Sequence, residues 1–178
     1  MNIQDLSLAM AIMVSTALSP IAAAAHASLA EKEAKQNTNY IAVMRITHGC
    51  AGEATNRVTI TTPEGVINAK PMPKAGWTLE TVRQPYAKTY EYHGPKSEGV
   101  VSISWSGHLE DGHFDEFVFR ARVTDAFPVG ETVYFPTMQT CVNGENAWVE
   151  VPQEGQTRGD LKSPAPGVTI VTGGNEHH

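Results

Sequence analysis

The 178-residue chain lacks most of the features that announce a function. No apolar run is long enough for a transmembrane helix. There is no basic block: 13 Lys and Arg stand against 19 Asp and Glu, for a formal net charge of −6. Such a chain is a poor nucleic-acid binder and offers no polybasic membrane patch. There is no Gly-x-Ser-x-Gly, no phosphate-binding loop and no His-Glu-x-x-His. The acidic residues are scattered, and no pair stands out as an acid/base couple. Together these absences point away from an enzyme. There is no internal repeat, and no long amphipathic helix follows the N-terminal stretch.

What is present begins with a leader. Residues 6–18 (LSLAMAIMVSTAL) are apolar but too short to span a bilayer, and Ser19-Pro20 breaks them. Small residues follow. Ala23-x-Ala25 fits the small-residue rule for secretory cleavage, although the first five residues carry no Lys or Arg. Ala25-x-Ala27 also fits, and that cut would remove His26. The expectation is a signal peptide over 1–25, cleavage after Ala25, and a periplasmic or otherwise secreted mature protein of about 150 residues, one ordinary domain. His26 would then be the first residue. Its α-amine and ring Nδ1 can grip one metal ion in a six-membered chelate.

The body reads as strands. Alternating or β-branched segments occur at 40–46, 56–62, 78–82, 89–92, 100–105, 114–123, 130–136, 147–151 and 167–171, with a further short piece at 66–69. Residues 40–46 alternate imperfectly, which suggests partial burial on both faces. Residues 31–35 read as a solvated helical turn or loop. Residues 70–77 (KPMPKAGW) read as an ordered loop, because prolines remove backbone donors. Residues 107–112 read as a turn. About nine strands with frequent Gly and Pro indicate an all-β fold, an antiparallel β-sandwich. Residues 173–178 read as a tail.

Cys50 and Cys141 are the only cysteines. In an exported protein the economical reading is one disulfide, closing a loop of about 90 residues and contributing roughly 4 kcal/mol in the chain-entropy model. The rival reading, two thiolates on a soft metal, needs a reducing compartment. His48 lies two residues before Cys50, so a disulfide would pin its loop near the one leading to Trp148. His108 and His113, with Glu110, Asp111 and Asp115, form a second polar cluster without a recognised ligand spacing and read as a solvated turn. Met72 and Met138 are soft thioethers suited to Cu(I), but methionine more often fills core gaps. Trp77, Trp105 and Trp148 read most simply as core aromatics.

His48-Gly49-Cys50, Pro63-Glu64-Gly65-Val66, Lys70-Pro71-Met72-Pro73-Lys74-x-Gly76-Trp77, Asp115-Glu116-Phe117, Tyr134-Phe135-Pro136, Cys141 followed by Trp148, and Ser163-Pro164-Ala165-Pro166-Gly167 occur in this order. In these motifs the chain resembles the YcnI-like copper-binding domain family over nearly all of its mature length, 26–172. The resemblance implies an extracytoplasmic β-sandwich of cupredoxin or immunoglobulin-like kind. It implies Cu(II) held in a mono-histidine brace by the amine and ring of His26, with Trp148 nearby and a carboxylate completing the site. Where that carboxylate is expected, this chain has His48-Gly49-Cys50. His48 is the first choice for the missing ligand, since imidazole suits Cu(II), and Glu53 is the second. The expected role is copper trafficking or homeostasis. Copper is the bound ion, and other periplasmic copper chaperones or a copper-transporting membrane protein are the partners. Two alternatives stand beside it: a histidine-brace copper monooxygenase, and a metal-free envelope interaction module.

Overall fold

The computed structural model describes residues 26–173. The leader expected at 1–25, and the tail beyond Gly173, lie outside the described residues. In chain order the strands are β1 (Ser28–Leu29), β2 (Glu33–Lys35), β3 (Thr38–Ile46), β4 (Thr55–Thr61), β5 (Val66–Pro71), β6 (Thr78–Glu91) and β7 (Pro95–Leu109). There follow β8 (Asp115–Val123), β9 (Thr132–Tyr134), β10 (Thr137–Cys141), β11 (Glu145–Trp148) and β12 (Gly167–Val171). A single 3-10 turn, Arg158–Asp160, is the only helical element among the described residues.

The strands form a four-stranded sheet in the order β1-β3-β8-β5 and a five-stranded sheet in the order β11-β10-β4-β7-β6. A three-stranded sheet, β2-β12-β9, completes the fold. One apolar core joins all three, with Trp105, Phe117, Phe119, Phe135, Ile60 and Ile170 fully buried within it. Burying each of these side chains stabilises by about 1.5–3 kcal/mol. The expected antiparallel β-sandwich is the observed architecture. Period-2 patterning explains it best in β8, where Phe117, Phe119, Ala121 and Val123 face the core and Glu116 and Arg120 face out.

Several local expectations change. In β3 the buried residues are Tyr40, Ala42, Met44 and Ile46, while Ile41 is 57% exposed, so only one face is covered. Residues 33–35 form no helical turn: they pair in parallel with β12. The segment 78–82 and most of 89–92 belong to one strand, β6, which ends at Glu91 and tolerates Pro85 because it lies at the sheet edge. Gly107 lies inside β7 rather than in a turn. A Cβ there would come 2.4 Å from the Trp77 ring, so a glycine lets that indole lie against the strand backbone. Trp77 reaches the core as expected, edge-on to Phe117 at 4.9 Å. Residues 137–141 are not read as a strand from the sequence, yet they form β10, which carries Gln139 and Cys141 beneath the site.

Candidate metal centre

β1 pairs antiparallel with the C-terminal half of β3, setting Ser28 opposite Arg45 and Leu29 opposite Met44. Continued two residues back, that register brings His26 alongside the segment that leaves β3 through Thr47 and His48. From the other sheet, β11 pairs with β10 and ends on Trp148. The His26 ring meets the Trp148 indole edge-on, with centroids 5.1 Å apart. The His48 ring meets the same indole at 6.5 Å and nearly perpendicular. Three of the four side chains expected at the site therefore come together, with two histidines against one tryptophan. Both imidazoles are partly exposed, and Trp148 is 6% exposed. Trp148 thus belongs to the core and borders the histidines at once.

The support beneath them is polar and buried. Cys50 and Cys141 are joined in a disulfide, with Cα atoms 5.9 Å apart, which rules out the two-thiolate reading. Residues 50–53 fold into a two-residue turn in which Cys50 and Glu53 exchange backbone hydrogen bonds, each 3.1 Å. Its central residues, Ala51 and Gly52, both have positive φ, as such a hairpin turn demands. Gly49 packs against that turn, and a Cβ there would fall 1.7 Å from the Glu53 carbonyl oxygen.

Gln139 of β10 ties these pieces together. Its side chain is 1% exposed. Its Nε2 donates to the His48 carbonyl (2.6 Å) and to Thr55 Oγ1 (2.8 Å). Its Oε1 accepts from Trp148 Nε1 (3.2 Å) and Asn146 Nδ2 (3.4 Å). All four hydrogen-bonding positions of the amide are used, and the donor-only indole fixes its orientation. One side chain thereby sets both the His48 loop and the Trp148 ring. Sequence reasoning missed Gln139. Its signal was a polar residue alternating between Met138 and Thr140 on the inward side of a strand that the reading left unassigned.

His48 Nδ1 lies 2.5 Å from the Gly49 carbonyl oxygen. Only a protonated Nδ1 can make that contact favourable, so in the neutral ring the lone pair sits on Nε2. Glu53 is nearby in sequence but engaged elsewhere. Its two carboxylate oxygens accept from the Asn143 backbone N–H (2.6 Å) and side-chain amide (2.8 Å). It serves the fold by clamping the β10–β11 turn to the Cys50 turn.

The second histidine cluster has its own occupations. His108 and Glu110 pair at 2.8 Å on the surface, and the His108 hydrogen bond and charge hold the Glu110 carboxyl below its usual range. Asp111 accepts from the Gly49 N–H at 3.0 Å and so braces the His48 loop from the side. Asp115 pairs with Lys74 at 2.6 Å. Met138 lies on the opposite face of β10 from Gln139, by strand alternation, and Met72 is 54% exposed. Among the described residues no three His, Cys, Asp or Glu side chains converge as a metal cluster. A brace at a chain terminus does not require that, since one residue supplies two of its nitrogens.

A family model described as a domain of unknown function, DUF1775, matches residues 26–170. The chain belongs to the DUF1775 family. This is the domain of the YcnI-like proteins, so the motifs pointed to the right family. The DUF1775 match starts at His26 and runs through β12. Among solved structures, the chain is similar to an uncharacterized protein from Nocardia farcinica described as having an immunoglobulin-like fold. The two are 25% identical, with a TM-score of 0.61, over 83% of this chain and 99% of that one. No curated protein matches.

Proposed function

We propose that the exported, processed protein binds one Cu(II) ion through His26 as its first residue and serves copper trafficking or homeostasis outside the cytoplasm. One observation carries this reading: His26 and His48, far apart in sequence, flank a single buried indole that a fully bonded amide holds in place. The donor chemistry suits the ion, since amine and imidazole nitrogens are good Cu(II) ligands. In this reading His26 supplies the amine and one ring nitrogen. His48 supplies a further nitrogen in place of a carboxylate. Trp148 covers the ion and limits access to it. Glu53 stays with Asn143.

The disulfide fits an oxidising compartment. The family domain also starts at the residue that processing would expose. Copper is the cargo, passed between this protein and envelope copper carriers or a membrane transporter. A binding and transfer role is favoured over a monooxygenase, because nothing in the chain announces a flat aromatic face for a substrate.

Affinity falls as pH drops, because amine and imidazoles must be deprotonated to bind. The test compares protein beginning at His26 with protein carrying one extra N-terminal residue, both titrated calorimetrically with Cu(II). The first should bind one equivalent tightly and the second should not. Equal binding by both would defeat the brace.

A further inference from the structure

A second polar site lies on the open side of the sandwich, where β5 ends one sheet and β6–β7 ends the other. Both layers are irregular there. The β5–β8 register shifts between Ile67 and Lys70, and Asn68 within that bulge has φ of 53°. The β6–β7 register shifts between Val82 and Arg83. Bulges re-aim side chains, and a left-handed asparagine is a conformation most residues avoid. Between the bulges is a cavity of about 250 Å³, and Asn68, Lys70, Arg83, Lys96, Glu98 and Gly99 are among the residues that line it.

Charge and hydrogen-bonding capacity at this cavity are unbalanced. Three cationic side chains face one carboxylate, in a chain that is acidic overall. Arg83 pairs with Glu98 at 3.1 Å. Neither Lys70 nor Lys96 has an acidic partner among the described residues. Tyr86 is 9% exposed, and its hydroxyl proton has no acceptor among the described residues. That hydroxyl lies between two lining residues. It rests on Gly99, where a Cβ would fall 1.7 Å away, and its oxygen faces the Asn68 backbone N–H.

We propose that this cavity binds a phosphate group. A compact oxyanion brings several acceptor oxygens and enough negative charge for Lys70, Lys96 and Arg83 together. Glu98 sets the selectivity. A fully deprotonated oxyanion such as sulfate is repelled by it, whereas hydrogen phosphate donates its own O–H to that carboxylate. The site is separate from the copper reading and does not depend on it.

The experiment is an amide NMR titration of the metal-free mature protein with inorganic phosphate, sodium sulfate and glycerol 3-phosphate at constant ionic strength. Phosphate should give saturable shifts at Asn68, Gly99 and Val100. Sulfate should not. Saturable shifts with glycerol 3-phosphate as well would identify the phosphoryl group as what is recognised, and phosphate alone would identify the free ion; both support the site. Lys70→Met and Lys96→Met should each weaken phosphate by about tenfold, as expected for one lost charge-assisted bond. Glu98→Gln should admit sulfate. All three changes lie near the surface, and the amide spectrum of each variant reports that it is folded. No saturable shift by about 10 mM phosphate, where even millimolar affinity would show, or equal shifts with phosphate and sulfate, overturns the proposal.

Discussion

The two polar ends of this sandwich are built on opposite plans. Around His26, His48 and Trp148, no buried side-chain donor or acceptor among the described residues lacks a partner. Gln139 is bonded four ways, Asp111 and Glu53 hold the loops, and the Cys50–Cys141 disulfide ties the β3–β4 loop to β10. At the β6–β7 end, Ile67, Tyr86 and Tyr90 make a small core of their own beside a cavity where, among the described residues, Lys70 and Lys96 have no acidic partner. The first end is rigid before any ligand arrives, which suits an ion whose donors must already be in place. The second leaves bonding capacity open, which suits a ligand that brings its own atoms.

The strongest way to break this contrast is to cut the disulfide. Cys50→Ala with Cys141→Ala opens a loop of 91 residues in sequence separation. It should lower stability by about 4 kcal/mol in the chain-entropy model, read from urea unfolding. Amide exchange should rise first at 47–53 and 139–146, and only later in β6 and β7.

Gln139→Leu comes next. It leaves the His48 carbonyl, the Thr55 hydroxyl and the Trp148 indole without their partner. Stability should fall by about 3 kcal/mol, since each buried orphan costs about 1–3 kcal/mol and partial relaxation recovers some of that. The Trp148 near-ultraviolet dichroism should weaken, while the chemical shifts of Tyr86 and Tyr90 stay in place.

Tyr40, in the strand that feeds the His48 loop, gives a pH-dependent effect. Burial, and then the Glu31 charge, push its hydroxyl up to about 12 from the ordinary 10.0. A raised phenol contributes stability that is complete below pH 10 and is lost as pH rises toward 12. Between those limits the wild type should lose about 2 kcal/mol more than Tyr40→Phe, measured as urea midpoints against pH.

The smallest effect belongs to the other end. Tyr90 donates to Glu64 at 2.6 Å, and burial together with that carboxylate raises its hydroxyl well above the usual range. Tyr90→Phe should cost about 1 kcal/mol at neutral pH. It should speed amide exchange between 84 and 99 and leave Cu(II) affinity unchanged.

Much of this was legible in the sequence, for reasons that can be named. β8 and β4 are half-buried strands whose period-2 pattern survives folding, so they were found within a residue or two. β2 and β10 were missed because their pattern is short or polar. Glu33–Lys35 is held by backbone pairing to β12, which no local propensity reveals. Residues 137–141 bury Gln139 and two threonine or cysteine neighbours instead of large apolar groups. The site was legible where it rests on unusual residues, namely His26, His48, the cysteines and Trp148. The amide that positions them was not, because a buried glutamine is recognisable only once its four partners are known. Glu53 was attractive as the nearest carboxylate to a site where the resemblance implies one, and the structure commits its carboxylate to Asn143.

The central claim is that copper sits at the rigid end on the nitrogens of His26. Pulsed electron paramagnetic resonance of the mature protein with one equivalent of Cu(II) tests it most directly. The expected spectrum contains a coordinated amine nitrogen and two imidazoles, one of which disappears in His48→Ala. A spectrum with no amine nitrogen, left unchanged by His48→Ala and abolished instead by replacing His108 and His113, would contradict it.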